Sequence, residues 1–206
     1  MKVLLLNGSP HEKGNTYTAL DAASALLREQ GVGTELFWLG TEPVSGCTGC
    51  GACGKLGRCV IDDKVNLFCD KLADCDGLIV GTPAHYASPA GALIAFLDRA
   101  FYARSRDFAH KPAAAVAIAR RAGTTASLDV INKYFTISQM PVVSSSYWNV
   151  AFGRAPGETK LDAEGMQTVR NMARNMAWLL RCIEAGKSAG IDAPPTERGS
   201  VTNFIR

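Results

Sequence analysis

Apolar and polar positions along this chain switch between two periods, and the switching lays out an architecture. Val3-Leu4-Leu5-Leu6 is a continuous apolar run of strand length, after which Leu20, Ala23, Leu26 and Leu27 recur at helical spacing until Gly31 stops the pattern. Thr34 to Leu39 reads as a second strand, and a strand-helix-strand succession of this length is a right-handed crossover between parallel neighbours. Val65, Phe68, Cys69 and Leu72 form a helical stripe that Asp62-Asp63 can cap. Gly77 to Thr82 follows as a near-continuous apolar strand, the kind buried on both faces.

Beyond it, Ser88 and Pro89 are placed as N-cap and first residue of a helix whose buried stripe is Leu93, Phe96, Leu97, Ala100 and Phe101. Ala113 to Ala119 is alanine-rich enough for a helix, but Pro112 before it and a turn after it favour a short buried strand. Leu128, Ile131 and Phe135 carry the next helix, and Met140-Pro141-Val142-Val143 reads as a final strand whose proline suits an edge. The last helix sets Met166, Val169, Met172, Ala173, Met176, Leu179, Leu180 and Ile183 on one face and closes at Gly186, its methionines reading as core filler. Five strands alternating with five helices predict an α/β fold, a doubly wound parallel sheet in a single domain over residues 1–206. An aperiodic loop at 40–61 interrupts it, and a tail at 187–206 has no core role and is free to lie on a neighbouring subunit.

Composition narrows the partners. With 206 residues, 47% of them hydrophobic, the chain can bury one sizeable core. Lys+Arg 22 against Asp+Glu 19 leaves a net charge of +3, too small and scattered to argue for nucleic acid or an anionic membrane surface. No apolar run approaches a membrane span and no leader pattern stands at the start, so a cytoplasmic protein with a small-molecule partner is expected. Seven cysteines in such a chain point to metal or redox chemistry rather than to disulfides. Cys69, Cys75 and Cys182, with His110, read as structural.

Gly8-Ser9-Pro10-His11-Glu12-Lys13-Gly14-Asn15-Thr16 follows the first strand and opens the first helix, which makes it a cradle for an anion. It is neither the nucleotide P-loop, since Gly14 precedes Asn15-Thr16 rather than Lys-Ser/Thr, nor the dinucleotide fingerprint, since Gly8-Ser9-Pro10 lacks the G-x-G start. The plain alternative is an ordinary connection with Asn15 or Thr16 as N-cap. In doubly wound sheets ligands bind beyond the carboxyl ends of the strands where the order reverses. With the order 2-1-3-4-5, the turns Gly8 to Thr16, Thr82 to Ser88 and Ala119 to Gly123 converge there.

Cys47, Cys50, Cys53 and Cys59, interleaved with Gly49, Gly51, Gly54 and Gly57, allow one loop to wrap four thiolates around a compact centre. An iron–sulfur cluster, thiol redox chemistry and zinc all remain open, although structural zinc usually takes two C-x-x-C knuckles farther apart. Because the loop follows the second strand, the cysteines are expected on the ligand's side of the sheet. His85 could donate to a ligand or relay a proton, or be a solvated or packing histidine. Arg120-Arg121 could attract a phosphate or be an exposed basic pair.

Gly8-Ser9-Pro10 with Gly14-Asn15-Thr16, then Thr82-Pro83-x-x-Tyr86, then Pro89-x-x-x-Leu93-x-x-Phe96-Leu97-Asp98-Arg99, resembles the NADPH-dependent FMN reductase branch of the flavodoxin-like superfamily. Within it, Cys47-x-x-Cys50-x-x-Cys53-x5-Cys59 is similar to the cluster motif of the iron–sulfur flavoproteins, whose members carry FMN and a [4Fe–4S] cluster and work as oligomers. The resemblance implies that Ser9, Asn15 and Thr16 hold the FMN phosphate with His11 and Lys13 nearby. It places Pro83, Ala84, His85, Tyr86 and Ser88 against the isoalloxazine edge, with Arg120 and Gly123 completing the pocket. Ala84-His85 before Tyr86 departs from many relatives and leaves those two side chains without an assigned role. The implied activity is an oxidoreductase, homodimeric or homotetrameric, passing electrons from NAD(P)H through FMN and a [4Fe–4S] cluster to a quinone-like or flavin acceptor or a ferredoxin-like protein. The rival is a pure electron carrier between protein partners, and a third class is a redox or zinc-stabilised module.

Overall fold

The structure, a computed structural model, describes residues 1–200, 202 and 204. Five parallel strands make the sheet: β1 (Lys2–Asn7), β2 (Gly33–Trp38), β3 (Gly77–His85), β5 (Ala113–Ala119) and β6 (Val150–Phe152), in the order β2-β1-β3-β5-β6. A two-residue strand, β4 (Ser88–Pro89), folds back antiparallel on β3, pairing His85 with Ser88 and Ala84 with Pro89. Without that hairpin strand, the order is the expected 2-1-3-4-5, and the flavodoxin-like doubly wound sheet is present.

Period two along the strands divides the core into two layers. Leu4 and Leu6 of β1, Leu78 and Val80 of β3 and Ala113, Ala115 and Ala117 of β5 face one layer. It is closed by α3 (Lys64–Ala73), α4 (Gly91–Phe108) and α5 (Thr124–Ile137). Val3, Leu5, Ile79, Ala114, Val116 and Ile118 face the other, under α1 (Asn15–Glu29) and α6 (Ala163–Ser188). Every residue of β5 is buried, so its alanines leave room that larger side chains on the helices fill. Phe68 and Phe96 meet edge to face with centroids 5.2 Å apart, and Met172 and Met176 are fully buried core filler.

Four local expectations are corrected. The fifth parallel strand is Val150–Phe152, not Met140 to Val143, which makes only the bridge Ala113↔Val142. Pro141 has no N–H to give, and the following serines turn instead to α6, where Ser145 Oγ donates to Thr168 O at 2.7 Å. α1 is capped by Gly14 rather than by Asn15 or Thr16, and α4 by Ala90 rather than Ser88, because Ser88 and Pro89 are taken into the hairpin. α6 runs through Gly186 to Ser188. Beyond it, the described part of the tail is exposed and without regular structure, with Thr196 Oγ1 donating to Gln139 Oε1 at 2.8 Å.

Among the described residues, no helix is long and apolar enough to cross a membrane.

Candidate functional site

At the carboxyl edge of the sheet the loops after β1, β3, β5 and β6 surround a cleft of about 340 Å³. Its walls are Ser9, His11, Gly14, Asn15 and Thr16 from the first loop, Pro83, Ala84 and His85 from β3, Ile118, Ala119 and Arg120 from β5 and its turn, and Gly153, Arg154 and Pro156 from the loop after β6.

The first loop is braced from within. Asn7 is fully buried, its Oδ1 accepting from Ser9 N at 3.1 Å and its Nδ2 donating to Glu12 O at 3.0 Å. Ser9 Oγ accepts from His11 N at 3.1 Å, and Trp38 Nε1 at the end of β2 donates to Ser9 O at 2.9 Å. Gly14 caps α1 with no side-chain acceptor for the first-turn N–H groups, so the positive end of the helix dipole is left to a ligand. Two glycines allow the elements to close up. A Cβ on Gly8 would stand 2.6 Å from Leu93 Cδ2, and one on Gly81 would stand 2.8 Å from the Thr16 methyl group.

Asn15, on the cleft wall, also bonds across to another loop. Its Nδ2 donates to Ala155 O at 2.9 Å and its Oδ1 accepts from Thr159 N at 3.1 Å, so the side chain ties the loop after β6 to the start of α1. Glu158 holds the same loop from its other end, Oε2 accepting from Arg154 N at 2.5 Å and Ala155 N at 2.8 Å. The N–H of Ala155, then that of Arg154, hold this carboxyl below the usual range.

The hairpin after β3 turns through Tyr86 (φ 52) and Ala87 (φ 58), two non-glycine residues in left-handed conformation. Gly123 (φ 88) lies directly under it, since a Cβ there would be 2.7 Å from Ala87 Cα. Tyr86 stands fully exposed at the tip. Thus Ser9, His11, Asn15, Thr16, Pro83, Ala84, His85 and Arg120 meet in the cleft, while Lys13, Tyr86, Ser88 and Gly123 do not line it. Gly153, Arg154 and Pro156 were missed with β6. The signal was Gly153-Arg154-Ala155-Pro156-Gly157, a turn-forming run directly after the apolar triplet Val150-Ala151-Phe152.

The four loop cysteines also meet. Cys47, Cys50, Cys53 and Cys59 line one hollow with Arg99, Tyr102 and Ala103 of α4. Left-handed Gly49, Gly51 and Gly57 turn the chain around it, and Cys53 opens α2 (Cys53–Leu56). The Cys50 thiol is held below its ordinary pKa by the Ala52 N–H and then the Thr48 hydroxyl, which favours thiolate. Cys59 Sγ accepts from Arg99 Nε at 3.3 Å. Among the described residues no three His, Cys, Asp or Glu side chains are grouped so as to hold a metal ion. The loop leaves the sheet at the cleft's edge, but it carries the cysteines about 12–18 Å along α4 from Gly91.

Cys69 and Cys75 are buried as expected, and burial pushes the Cys69 thiol up to about 12. Cys182, read as structural with them, is instead exposed on α6. A wider hollow of about 720 Å³ opens at the opposite edge of the sheet, between Met1, Lys111 and Ile191, where Lys111 Nζ is engaged by Leu72 O, Ala73 O and Cys75 O.

The sequence matches the NADPH-dependent FMN reductase family over residues 1–155. It is 31% identical over 192 residues to an iron-sulfur flavoprotein of Methanocaldococcus jannaschii, covering 89% of this chain and 100% of that one. The fold is similar to RosB with a bound 8-demethyl-8-formylriboflavin-5'-phosphate intermediate, with a TM-score of 0.68 at 18% identity over 100% of this chain and 94% of that one. It is similar also to a flavodoxin from the domain Archaea, with a TM-score of 0.60 at 14% identity over 88% and 99%.

Proposed function

Because the chain belongs to the NADPH-dependent FMN reductase family, and is on that ground an FMN-dependent oxidoreductase, we propose that the cleft at the carboxyl edge is its FMN site. The carrying observation is the meeting of four loops at the uncapped start of α1. A phosphate fits there: the Ser9 and Thr16 hydroxyls and the first-turn N–H groups are donors, and His11, Arg120 and Arg154 bring basic side chains to the same cleft. Pro83, Ala84, Ile118 and Ala119 give the apolar wall that a flat ring system needs.

When bound, FMN supplies the hydride and single-electron chemistry. The chain's part is to bind, orient and tune. The braced first loop presents its donors without reorganisation, and the hairpin seated on Gly123 fixes Pro83 to His85 along one side. His85, exposed on the cleft wall, is placed to donate a hydrogen bond or pass a proton. NAD(P)H as donor, and a quinone-like ring, free flavin or a protein as acceptor, complete the reading.

We propose further that Cys47, Cys50, Cys53 and Cys59 hold a [4Fe–4S] cluster. All four cysteines line one hollow, a backbone N–H favours one thiol as thiolate, and an arginine donates to the sulfur of another. Cys47, Cys50, Cys53 and Cys59 would be its ligands, and the cluster would supply one-electron transfer.

The test of the cleft is Thr16→Val, which keeps the shape against Gly81 and removes the hydroxyl. Losing a hydrogen bond to a charged group, about 1.5–3 kcal/mol, should weaken FMN by about 10- to 150-fold and leave riboflavin nearly unaffected. Equal losses for the two ligands would refute the phosphate assignment. NADPH oxidation by the FMN-loaded chain, with a quinone as acceptor, separates the reductase from the electron carrier, which predicts no turnover.

A further inference from the structure

Among the described residues, the only charged one that is buried is Arg99, its side chain 1% exposed. A buried cation is costly unless its partners compensate it. Here every polar partner comes from the cysteine loop and the residues that close it. Nη1 and Nη2 fork onto the Asp63 carboxylate at 2.6 and 2.9 Å, Nη2 also donates to Ile61 O at 3.0 Å, and Nη1 to Ser45 O at 3.4 Å. Nε donates to Cys59 Sγ at 3.3 Å.

Ser45 lies just before Cys47 and Ile61 just after Cys59, so one guanidinium clasps both ends of the cysteine segment while touching one of its sulfurs. Asn66, also buried, completes the hold: its Oδ1 accepts from Cys59 N and its Nδ2 donates to Cys59 O, each at 3.0 Å. Cys59 is thereby fixed at its sulfur and on both sides of its backbone. α4 needs no cation for its own packing, where an apolar side chain would serve. A lysine, a point charge without a planar fork, cannot serve four acceptors in this arrangement.

We propose that Arg99 is the positioning residue of the cysteine centre: it holds Cys59 by its sulfur and closes the segment, so that the four cysteines line one hollow before a cluster arrives. The proposal rests on the cluster reading above. Donors to ligand sulfur stabilise the reduced, more negative cluster and strengthen the hold on metal.

Two anaerobically reconstituted variants test it: Arg99→Lys, and Arg99→Met combined with Asp63→Asn, which leaves no unpaired charge. Both should release iron to a chelator about 10- to 100-fold faster than wild type and shift the cluster's midpoint potential to more negative values, while binding FMN as wild type does. Release and potential unchanged in both variants, or full rescue by lysine, would overturn the proposal. So would a parallel loss of FMN in both, which marks a general packing role. Wild-type protein that takes up no iron would refute the cluster itself. Trypsin cleavage after Lys55 and Arg58 in the iron-free chain then decides: about tenfold faster cleavage in Arg99→Lys supports the clasp, and cleavage no faster overturns it.

Discussion

Replacing Asn15 with alanine separates two readings of the same residue. As a phosphate ligand, Asn15 would matter for FMN and hardly for riboflavin. As the tether seen in the structure, it holds the loop that brings Gly153, Arg154 and Pro156 to the cleft, and its loss should affect both ligands alike. The substitution removes two hydrogen bonds, about 1 kcal/mol net each, and leaves the N–H of fully buried Thr159 without its acceptor, about 1–3 kcal/mol more. Because water enters as the loop opens, the local cost is set at about 2–4 kcal/mol. That corresponds to an opening equilibrium about 30- to 1000-fold more favourable. Amide hydrogen exchange across residues 153–159 reads the opening directly, and flavin fluorescence quenching reads the two affinities. Faster exchange with matched losses of FMN and riboflavin is expected. Unchanged exchange with a loss confined to FMN would refute the tether and restore the ligand reading.

Two further outcomes follow from the thiols and from Glu158. With iron removed, iodoacetamide at mildly alkaline pH should label Cys47, Cys50 and Cys182 rapidly and leave Cys69 and Cys75 unmodified, because burial raises both of those thiols. Mass spectrometry checks this, and Cys69 labelled as fast as Cys182 would contradict the packing. The Glu158 carboxyl is depressed in the folded chain, so its stabilisation of the loop is present above the ordinary carboxylate pKa and lost as pH falls through the folded value. Protection factors at 153–159, that is, exchange rates taken relative to the intrinsic rate at each pH, should therefore fall more on acidification in wild type than in Glu158→Gln; identical profiles would remove Glu158 as the clamp.

The alternation of periods carried most of the fold because strands buried on both faces and helices buried on one leave different marks in sequence. Val3 to Leu6 and Gly77 to Val80 had no other use than the centre of a sheet, and the methionine face of α6 no other use than its underside. The fifth strand left a weaker mark. Val150–Phe152 is only three residues in a polar stretch, while Met140 to Val143 is longer, yet Pro141 and the pull of α6 on the serines deny it a ladder. Missing that strand hid Arg154 and the fourth wall of the cleft. The hairpin was equally illegible: Tyr86 and Ala87 adopt backbone angles that neither residue favours, and their seat, Gly123, lies far away in sequence.

What the sequence determined by itself was the set of groups available: a glycine-bounded loop before a helix, a cluster of cysteines, and a parallel order that turns the relevant loops to one edge. These follow from local rules, such as period and turn chemistry, that operate over a few residues. Only the tertiary structure decided which groups are spent on construction and which are left for a ligand. Asn15 is occupied by a loop 140 residues away in the chain, and Arg99, on the buried side of a helix, reaches back to hold the cysteines. Such assignments depend on which hydrogen-bonding groups meet once water is excluded, and a contact between distant residues has no period for a sequence to display.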